Sequence, residues 1–145
     1  MPPSDSAFDL AKAQVCVIVN QGSGRKDGDS IADQIRARLL GRVARLDFRR
    51  TPKGGDLTGI ARHAIGQGFD LIVAAGGDGT QAAIASAVAG SPAAMAVIPG
   101  GTFNYFARDL GVGETIEQAL AVFDAPHLRR IHVGEINGLL FLNNV

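Results

Sequence analysis

The sequence predicts an α/β protein with three layers, in which helices cover both faces of a mostly parallel sheet. Two observations predict this class. Short apolar runs alternate with longer segments of helical spacing, and the purest runs contain so few polar residues that they indicate strands buried on both faces. With 145 residues, the chain is long enough for one domain with a sizeable core.

Four apolar runs are predicted as the strands of this sheet. They are rich in β-branched or other apolar side chains and cover residues 15–19, 43–48, 71–75 and 95–98. The first run contains the only cysteine, Cys16, which cannot form an internal disulfide and fits a reducing compartment. Apolar surroundings keep a thiol unreactive, so we interpret Cys16 as a structural residue.

Helical spacing predicts the connecting segments. A first helix over about 29–40 places Ile31, Ile35 and Leu39 on one face and ends at Gly41. Further helices are predicted over about 56–66, 80–89, 104–109 and 114–123. Near the end of the chain, residues 130–133 and 139–142 flank Asn137-Gly138, a pair that strongly favours a tight hairpin turn. The last strands are therefore predicted to be antiparallel.

Charge and hydropathy narrow the possible functions. The 14 basic residues equal the 14 acidic ones, so no overall field attracts nucleic acid. Residues 1–6 lack the basic and apolar blocks of a secretory signal, and no apolar run approaches the roughly 18 residues that a membrane span needs. We expect a soluble, cytoplasmic protein.

Three glycine-rich loops follow predicted strands, at residues 20–26, 76–80 and 99–104. In an open α/β sheet, ligands bind beyond the carboxyl ends of the strands, where these loops meet. Glycine lets backbone N–H groups approach an anion, and a helix N-terminus adds attraction for phosphate. For one loop alone, a simple turn capped by Asp78 or Thr80 would be an alternative, but three such loops favour a phosphate site.

Known phosphate-binding patterns fit these loops poorly. A P-loop starting at Gly22 fails, because Asp27 stands where a second glycine is required. Residues 77–82 match the dinucleotide pattern formally, yet no acidic residue follows the next strand to bind a ribose. A carboxylate at Asp78 would repel phosphate unless a cation lies between them, which indicates a magnesium-nucleotide complex.

Four motifs in this order resemble the diacylglycerol kinase catalytic family, which includes sphingosine, ceramide and bacterial lipid kinases. They are Asn20-x-Gly-Ser-Gly, Gly76-Gly77-Asp78-Gly79-Thr80, Pro99-Gly100-Gly101-Thr102-Phe103-Asn104-Tyr105-Phe106-Ala107-Arg108 and Asn137-Gly138-Leu139-Leu140-Phe141-Leu142-Asn143-Asn144. The second motif is shared with NAD kinases and, with Ser for Thr, with phosphofructokinases. The third motif is typical of the lipid kinases and distinguishes them from these other two families.

The resemblance implies binding of ATP and Mg²⁺, with Asp78 acting through the metal or organising its loop. The residues implied at this site are Asn20, Gly22, Ser23, Gly24, Thr51, Gly76, Gly77, Asp78, Gly79, Thr80, Gln81, Ala82, Ala83, Gly101, Thr102 and Asn104. Many family members have Asn-Glu where this chain has Ala82-Ala83, so a polar contact from that helix turn is absent here. Many members also have Leu at the position of Gly100.

The resemblance also implies a larger enzyme. Family members are roughly twice as long, and a β-rich second domain supplies their candidate general base. We therefore predict a flexible segment over 1–12, a nucleotide-binding domain over 13–126, and linking strands to an absent β domain over 127–145. The predicted function is the ATP-binding half of a lipid kinase that phosphorylates the hydroxyl of diacylglycerol or a similar lipid. Alone, the chain is expected to be nearly inactive.

Other interpretations stay open. An NAD kinase-like enzyme or a sugar kinase would use the same central motif, and a nucleotide-binding module without catalysis is a further alternative. The whole enzyme is expected to meet a lipid substrate, with peripheral membrane contact and a homodimer possible through the terminal strands. A basic stretch forms either a solvated face or an anionic-lipid surface, and its members are Arg36, Arg38, Arg42, Arg45, Arg49 and Arg50.

Overall fold

A computed structural model describes residues 5–20, 25–51, 55–99, 116–124, 126–133 and 136–143. Its strands are β1 (Asp5–Ala7), β2 (Gln14–Asn20), β3 (Arg45–Thr51), β4 (Leu71–Gly76), β5 (Ala94–Pro99), β6 (His127–Val133) and β7 (Ile136–Asn143). Its helices are α1 (Arg25–Leu39), α2 (Leu57–Gly66), α3 (Asp78–Val88) and α4 (Ile116–Leu120). Short 3-10 segments occupy Leu10–Lys12 and Ala121–Asp124.

The described strands form one seven-stranded sheet in the order β1-β6-β7-β5-β4-β2-β3. The pairs β2–β3, β2–β4, β4–β5 and β5–β7 are parallel, whereas β6 is antiparallel to both β1 and β7. The predicted class, a mostly parallel α/β sheet, is confirmed. The parallel part follows from the helical crossovers that separate its strands, since parallel neighbours require such connections.

Helices cover both faces of the sheet. Two adjacent residues of β3 make this visible, because successive side chains of a strand point to opposite faces. The Phe48 ring lies beneath Arg36 of α1, whereas Arg49 reaches His63 of α2. Helix α3 packs beside α2, and α4 packs beside α1. The sheet is therefore the middle of three layers.

The core is centred on β2 and β4. Residues Val15, Val17, Leu71 and Val73 have no exposed surface, and the apolar residues of β5 are at most 3% exposed. On the outer strand β3, by contrast, residues 46–49 are only partly buried, Arg45 and Arg50 are exposed, and Thr51 alone is fully buried. Burial on both faces accounts for the apolar runs of β2, β4 and β5. Strand β3 pairs with β2 as far as Thr51, so it extends beyond the predicted end near residue 48.

The helices largely follow the sequence pattern. Helix α1 ends before Gly41, whose φ of 81° is the left-handed conformation expected of a helix-terminating glycine. It begins at Arg25, earlier than the predicted start near residue 29. The segment predicted as one helix over 114–123 contains the short helix α4 followed by a 3-10 turn. The helix predicted over 104–109 lies outside the described residues.

The predicted turn at Asn137-Gly138 is wrong, although the hairpin itself is present. Strands β6 and β7 pair from His127↔Asn143 to Val133↔Ile136, which places Asn137 and Gly138 inside β7. Ile131 pairs with Leu139 and Val133 with Ile136, so one residue of β6 faces two of β7. This register shift is typical of a β-bulge, another position where glycine is common. Pairing of β7 with β5 also joins the hairpin to the main sheet.

The N-terminal segment differs from the flexible stretch expected over residues 1–12. Asp5–Ala7 pairs with β6, and the backbone N–H of Phe8 donates to the Pro126 carbonyl at 3.1 Å. Leu10 is buried at 8% exposure. Backbone pairing with β6 and burial of one leucine therefore hold the described part of this segment against the sheet.

Candidate functional site

The carboxyl ends of the central strands meet at one edge of the sheet. Asn20 is the register partner of Thr51, and Val19 is the partner of Ala75, so Asn20, Thr51 and Gly76 end three neighbouring strands. Gly76 in turn pairs with Pro99 of β5. The parallel sheet thus brings together residues that are far apart in sequence, as the sequence analysis expected.

A chain of hydrogen-bonded polar side chains, with a half-buried Asn20 between two buried threonines, links this edge to α3. The Asn20 Nδ2 donates to Thr80 Oγ1 at 2.9 Å, and the Thr51 hydroxyl lies 3.4 Å from Asn20 Oδ1, to which it donates. Thr51 is fully buried and Thr80 is 5% exposed. Because buried polar groups are costly without partners, these contacts hold β2, β3 and α3 in one arrangement.

The turn from β4 into α3 begins the helix without a side-chain cap. Gly77 occupies the N-cap position, and the Gln81 N–H makes the first helical bond to the Gly77 carbonyl at 3.0 Å. Neither Asp78 nor Thr80 is the N-cap residue, which corrects the alternative considered from the sequence. The N–H groups of the first turn have no partner inside a helix, and a glycine cap offers them none. This end of α3 can accept an anion.

Two glycines of the turn have different physical roles. A Cβ on Gly76 would lie 2.9 Å from three side-chain atoms of Thr80, so packing alone requires glycine there. A Cβ on Gly79 would meet nothing within 4 Å, and Gly79 is exposed. Close packing within the described chain therefore does not explain Gly79, while a ligand could approach its backbone.

Gln81 supports the turn from inside the protein. Its side chain is fully buried, and its Nε2 donates to the Gly76 carbonyl at 2.8 Å. The Oε1 atom has no hydrogen-bond partner among the described residues. Behind it, Ala82 is exposed and Ala83 is half-buried, with the Ala83 carbonyl accepting from Thr58 Oγ1 at 2.8 Å. The Gln81 side chain therefore stabilises the geometry of the turn. The sequence alone does not distinguish this structural role from direct contact with a ligand.

A groove of about 720 Å³ lies between the carboxyl-terminal part of β3 and α2. Its lining residues are Arg49, Arg50, Asp56, Gly59, Ile60 and His63. The guanidinium of Arg49 is held by Asp47 at 3.3 Å, by Gln67 and by the His63 ring at 3.4 Å. The sequence pattern does not predict this groove, because its wall forms only when an edge strand packs against the following helix.

Asp56 has a second, local role at this groove. It is the N-cap of α2, and its Oδ1 accepts from the Gly59 N–H at 2.9 Å. A Cβ on Gly59 would clash with this carboxylate, so the glycine keeps the cap intact. An aspartate directly before a segment of helical spacing is the sequence signal for such a cap, and the predicted helix start near residue 56 agrees with it.

The basic stretch is engaged in contacts within the protein. Arg36 pairs with Asp33 at 3.3 Å, and Asp124 receives both Arg38 at 3.0 Å and Arg42 at 3.6 Å. The guanidinium of Arg45 lies 4.4 Å from the Phe69 ring centre. These contacts give the arginines structural partners, and they favour the interpretation of a solvated face over that of a lipid-binding surface.

Cys16 lies inside β2 with no exposed surface. Burial raises the pKa of its thiol to about 11, and the nearby Arg49 charge opposes that rise. A buried thiol with this pKa remains protonated at neutral pH, which agrees with the interpretation of Cys16 as a structural residue.

Several expected site residues lie outside the described part of the chain. They are Gly22, Ser23, Gly24, Gly101, Thr102 and Asn104, together with the side chain of Asp78. Within the described ranges, no group of three or more His, Cys, Asp or Glu side chains could hold a metal ion. No helix of the same ranges is both long and apolar enough to cross a membrane.

Comparisons with known proteins agree with this architecture. The family model described as "Diacylglycerol kinase catalytic domain" matches residues 14–136. A Pseudomonas fluorescens protein named "Probable lipid kinase YegS-like" is 38% identical over 119 residues, covering 79% of this chain and 40% of its own length. A "Diacylglycerol kinase" of Staphylococcus saprophyticus is 36% identical over 95 residues, covering 64% of this chain and 31% of its own.

A solved structure supports the same relationship. The crystal structure of a diacylglycerol kinase from Bacillus anthracis matches with a TM-score of 0.67 and 32% identity, over 76% of this chain and 41% of that chain. The chain therefore spans well under half the length of these relatives.

Proposed function

Because the chain belongs to the diacylglycerol kinase catalytic-domain family, we propose that it forms the ATP-binding half of a lipid kinase. The whole enzyme transfers the γ-phosphoryl group of ATP to the hydroxyl of diacylglycerol or a similar lipid. One observation carries the proposal within this chain. Asn20, Thr51 and Thr80 meet in a hydrogen-bonded chain beside an uncapped helix N-terminus.

The phosphates of ATP fit the first turn of α3. Backbone N–H groups there are free of helical partners, and the helix end carries partial positive charge. The open space at Gly79 lets an anion come close to the backbone, and the Thr80 hydroxyl lies at the same edge. Phosphoryl transfer depends mainly on positioning and charge stabilisation, which are the properties that this turn supplies.

The nucleoside part of ATP fits the groove between β3 and α2. Strand β2 separates β4 from β3, and neighbouring strands lie about 4.8 Å apart, so roughly 10 Å separates the two ends of the site. A nucleotide with its phosphates on α3 would extend across Asn20 and Thr51 to this groove. Ile60 offers an apolar wall there, and Arg49 offers a planar guanidinium for stacking.

We propose that Mg²⁺ binds together with the phosphates of ATP. Mg²⁺ keeps several waters and needs only one or two carboxylates in addition to substrate phosphates, so a single Asp78 is compatible with it. When bound, the ion would neutralise phosphate charge. We assign to Asp78 an indirect contact with this ion or the organisation of its loop.

The acceptor side is proposed to lie outside this chain. The relatives are roughly twice as long, and a further β-rich domain would supply the base that takes the lipid hydroxyl proton. The 145-residue chain alone is therefore expected to bind nucleotide weakly and to turn over little. Contact with the inner membrane face, where the acceptor resides, and a homodimer through the terminal strands belong to the same proposal.

An acceptor assay on the protein made from its natural gene tests the function. With ATP and Mg²⁺, phosphate should appear on diacylglycerol and not on NAD or sugars. Asp78→Ala should reduce that transfer by orders of magnitude with the far-ultraviolet circular dichroism spectrum unchanged, and Ser86→Ala, on the exposed side of α3, should leave it intact. Phosphorylation of NAD or a sugar, nucleotide binding without transfer, or near-normal activity of Asp78→Ala would contradict the proposal.

A further inference from the structure

The carboxylate of Asp56 has one oxygen engaged and one oxygen open. Its Oδ1 accepts the Gly59 N–H at 2.9 Å, as the N-cap of α2. Within the described part of the chain, Oδ2 has no hydrogen-bond partner. Both oxygens of an ionised carboxylate accept hydrogen bonds, so the cap leaves the acceptor capacity of Oδ2 unused.

Gly59 makes room for this open oxygen. A Cβ on Gly59 would clash with Asp56 Oδ2, so the oxygen occupies the space that a side chain at residue 59 would fill. Asp56 and Gly59 both line the groove between β3 and α2, and Asp56 is exposed. The open oxygen therefore lies at the wall of the groove, where a ligand can reach it.

The lining of the groove follows the order of the parts of a nucleotide. Asp56, Ile60 and His63 are spaced by four and three residues, so they share one face of α2. Asp56 lies at the helix start, where β3 ends, and Ile60 lies about 6 Å further along the helix axis. The first turn of α3 begins at the same edge of the sheet. A nucleotide with its phosphates on α3 thus brings its ribose to Asp56 and its base to Ile60.

The charge of Asp56 supports the same orientation. A carboxylate repels phosphate, so it disfavours binding with the phosphates in the groove. An ionised carboxylate only accepts hydrogen bonds, and a ribose hydroxyl can donate one. Dinucleotide-binding folds use an acidic residue for this contact. The sequence has no acidic residue at the end of β5, where that pattern requires one, and Asp56 offers a carboxylate beside β3 instead.

We propose that Asp56 selects ribonucleotides, because its Oδ2 accepts a hydrogen bond from a ribose hydroxyl of the bound nucleotide. This inference rests on the proposed function for its ligand, and it adds the residue that distinguishes ribose from deoxyribose. Oδ1 holds the start of α2 while Oδ2 holds the sugar, so one side chain serves both the groove wall and the ligand.

Calorimetric titration of the protein made from its natural gene tests the inference, with the magnesium complexes of ATP, 2′-deoxy-ATP and 3′-deoxy-ATP as ligands. The wild-type protein should bind at least one deoxynucleotide about tenfold more weakly than ATP, the loss expected for a hydrogen bond to a charged group. Asp56→Ser keeps a capping hydroxyl but has no second oxygen, and it should bind all three ligands within about twofold of one another.

The ratio of affinities is the readout, because loss of a negative charge changes the affinity for all three nucleotides alike. Asp33→Ser is the matched control, since it removes an exposed carboxylate of α1 and should keep the wild-type ratio. Gly59→Ala retains the Asp56 carboxylate but displaces Oδ2, so its ribose preference should fall toward that of Asp56→Ser. The wild-type comparison needs no variant, and equal binding of the three nucleotides there would overturn the inference. A wild-type ratio that persists in Asp56→Ser or in Gly59→Ala would also overturn it.

The same titration separates this inference from the proposed function, because it needs no lipid acceptor. MgATP binding without a ribose preference would refute the inference alone. A ribose preference in a protein that phosphorylates no lipid would refute the proposed lipid kinase alone, and a wild-type protein that binds no MgATP would refute both.

Discussion

Gly76 lies directly against Thr80, so that a Cβ on residue 76 would come within 2.9 Å of the Thr80 Cβ, Cγ2 and Oγ1 atoms. The end of β4 and the Thr80 side chain in the first turn of α3 therefore leave no room for a side chain at residue 76. This contact keeps the Thr80 hydroxyl beside Asn20, where the strand edge and the helix end meet.

Gly76→Ala should destabilise the protein by about 1–3 kcal/mol, because the added methyl group overpacks a buried contact. Gly79→Ala is the matched control, since its Cβ would meet nothing within 4 Å. Alanine has the higher helix propensity, so this variant should gain between zero and about 1 kcal/mol. Urea unfolding monitored by circular dichroism measures both changes, and equal losses would contradict the different roles of the two glycines.

The same Gly79→Ala variant should bind MgATP about tenfold more weakly despite its normal stability. A side chain at this position would hold the phosphates away from the N–H groups of the first helical turn. Calorimetric titration with MgATP and with magnesium triphosphate should give the same loss for both ligands. Unchanged affinity for both would show that the phosphates bind elsewhere.

Ile60→Ala should weaken binding of MgATP severalfold and leave the affinity for magnesium triphosphate unchanged. Ile60 lines the groove assigned to the nucleoside, and its truncation removes apolar contact area from the base alone. Ile65→Ala, a half-buried change on the same helix away from the groove, should affect neither ligand. If both ligands lost affinity together at Ile60, the groove would not be a separate nucleoside subsite.

Removal of the α2 cap by Asp56→Ala should cost about 1 kcal/mol, because the Gly59 N–H loses its acceptor at a helix start. Asp56→Asn keeps an accepting oxygen and should retain most of that stability. Asp33 provides the comparison, because it is also exposed but caps no helix. Asp33→Ala, which removes only an exposed ion pair with Arg36, should change the free energy of unfolding by at most about 0.5 kcal/mol.

Stability should fall in alkaline solution as the Cys16 thiol titrates. Burial raises the pKa of Cys16 from 9.0 to about 11. Between these pH values the unfolded chain releases the thiol proton, whereas the folded chain keeps it. The free energy of unfolding therefore decreases as pH rises from 9 to 11. The contribution of the protonated thiol to stability is fully present only below pH 9.

Urea midpoints measured from pH 8 to pH 11 test this dependence. Cys16→Ala should start from lower stability, because it leaves a small cavity, and should show a shallower decrease with pH. Identical slopes for the two proteins would mean that other groups control the alkaline transition. In the native protein, Cys16 should also resist alkylation at pH 8 and react after unfolding in urea.

Some features of the fold were predictable because their cause is local. The runs that became β2, β4 and β5 are apolar throughout, and only strands covered on both faces need that composition. The end of α1 at Gly41 and the start of α2 after Asp56 follow from backbone freedom and side-chain capping within a few residues. The meeting of Asn20, Thr51 and Gly76 was also predictable, since parallel strands bring their carboxyl ends to one edge.

Tertiary packing decided the rest. Asn137-Gly138 favours a turn locally, but pairing of β7 with β6 and β5 places it in a strand with a register shift. The roles of Gly76 and Gly79 look alike in sequence and separate only when Thr80 packs against one of them. Likewise, the sequence by itself led only to the expectation, through a family resemblance, that Thr51 and Thr80 belong to one site, whereas the burial of Thr51 behind Asn20 depends on the contact between two strands and a helix. Short-range preferences specify which residues can serve a phosphate site, and long-range packing determines which of their atoms face it.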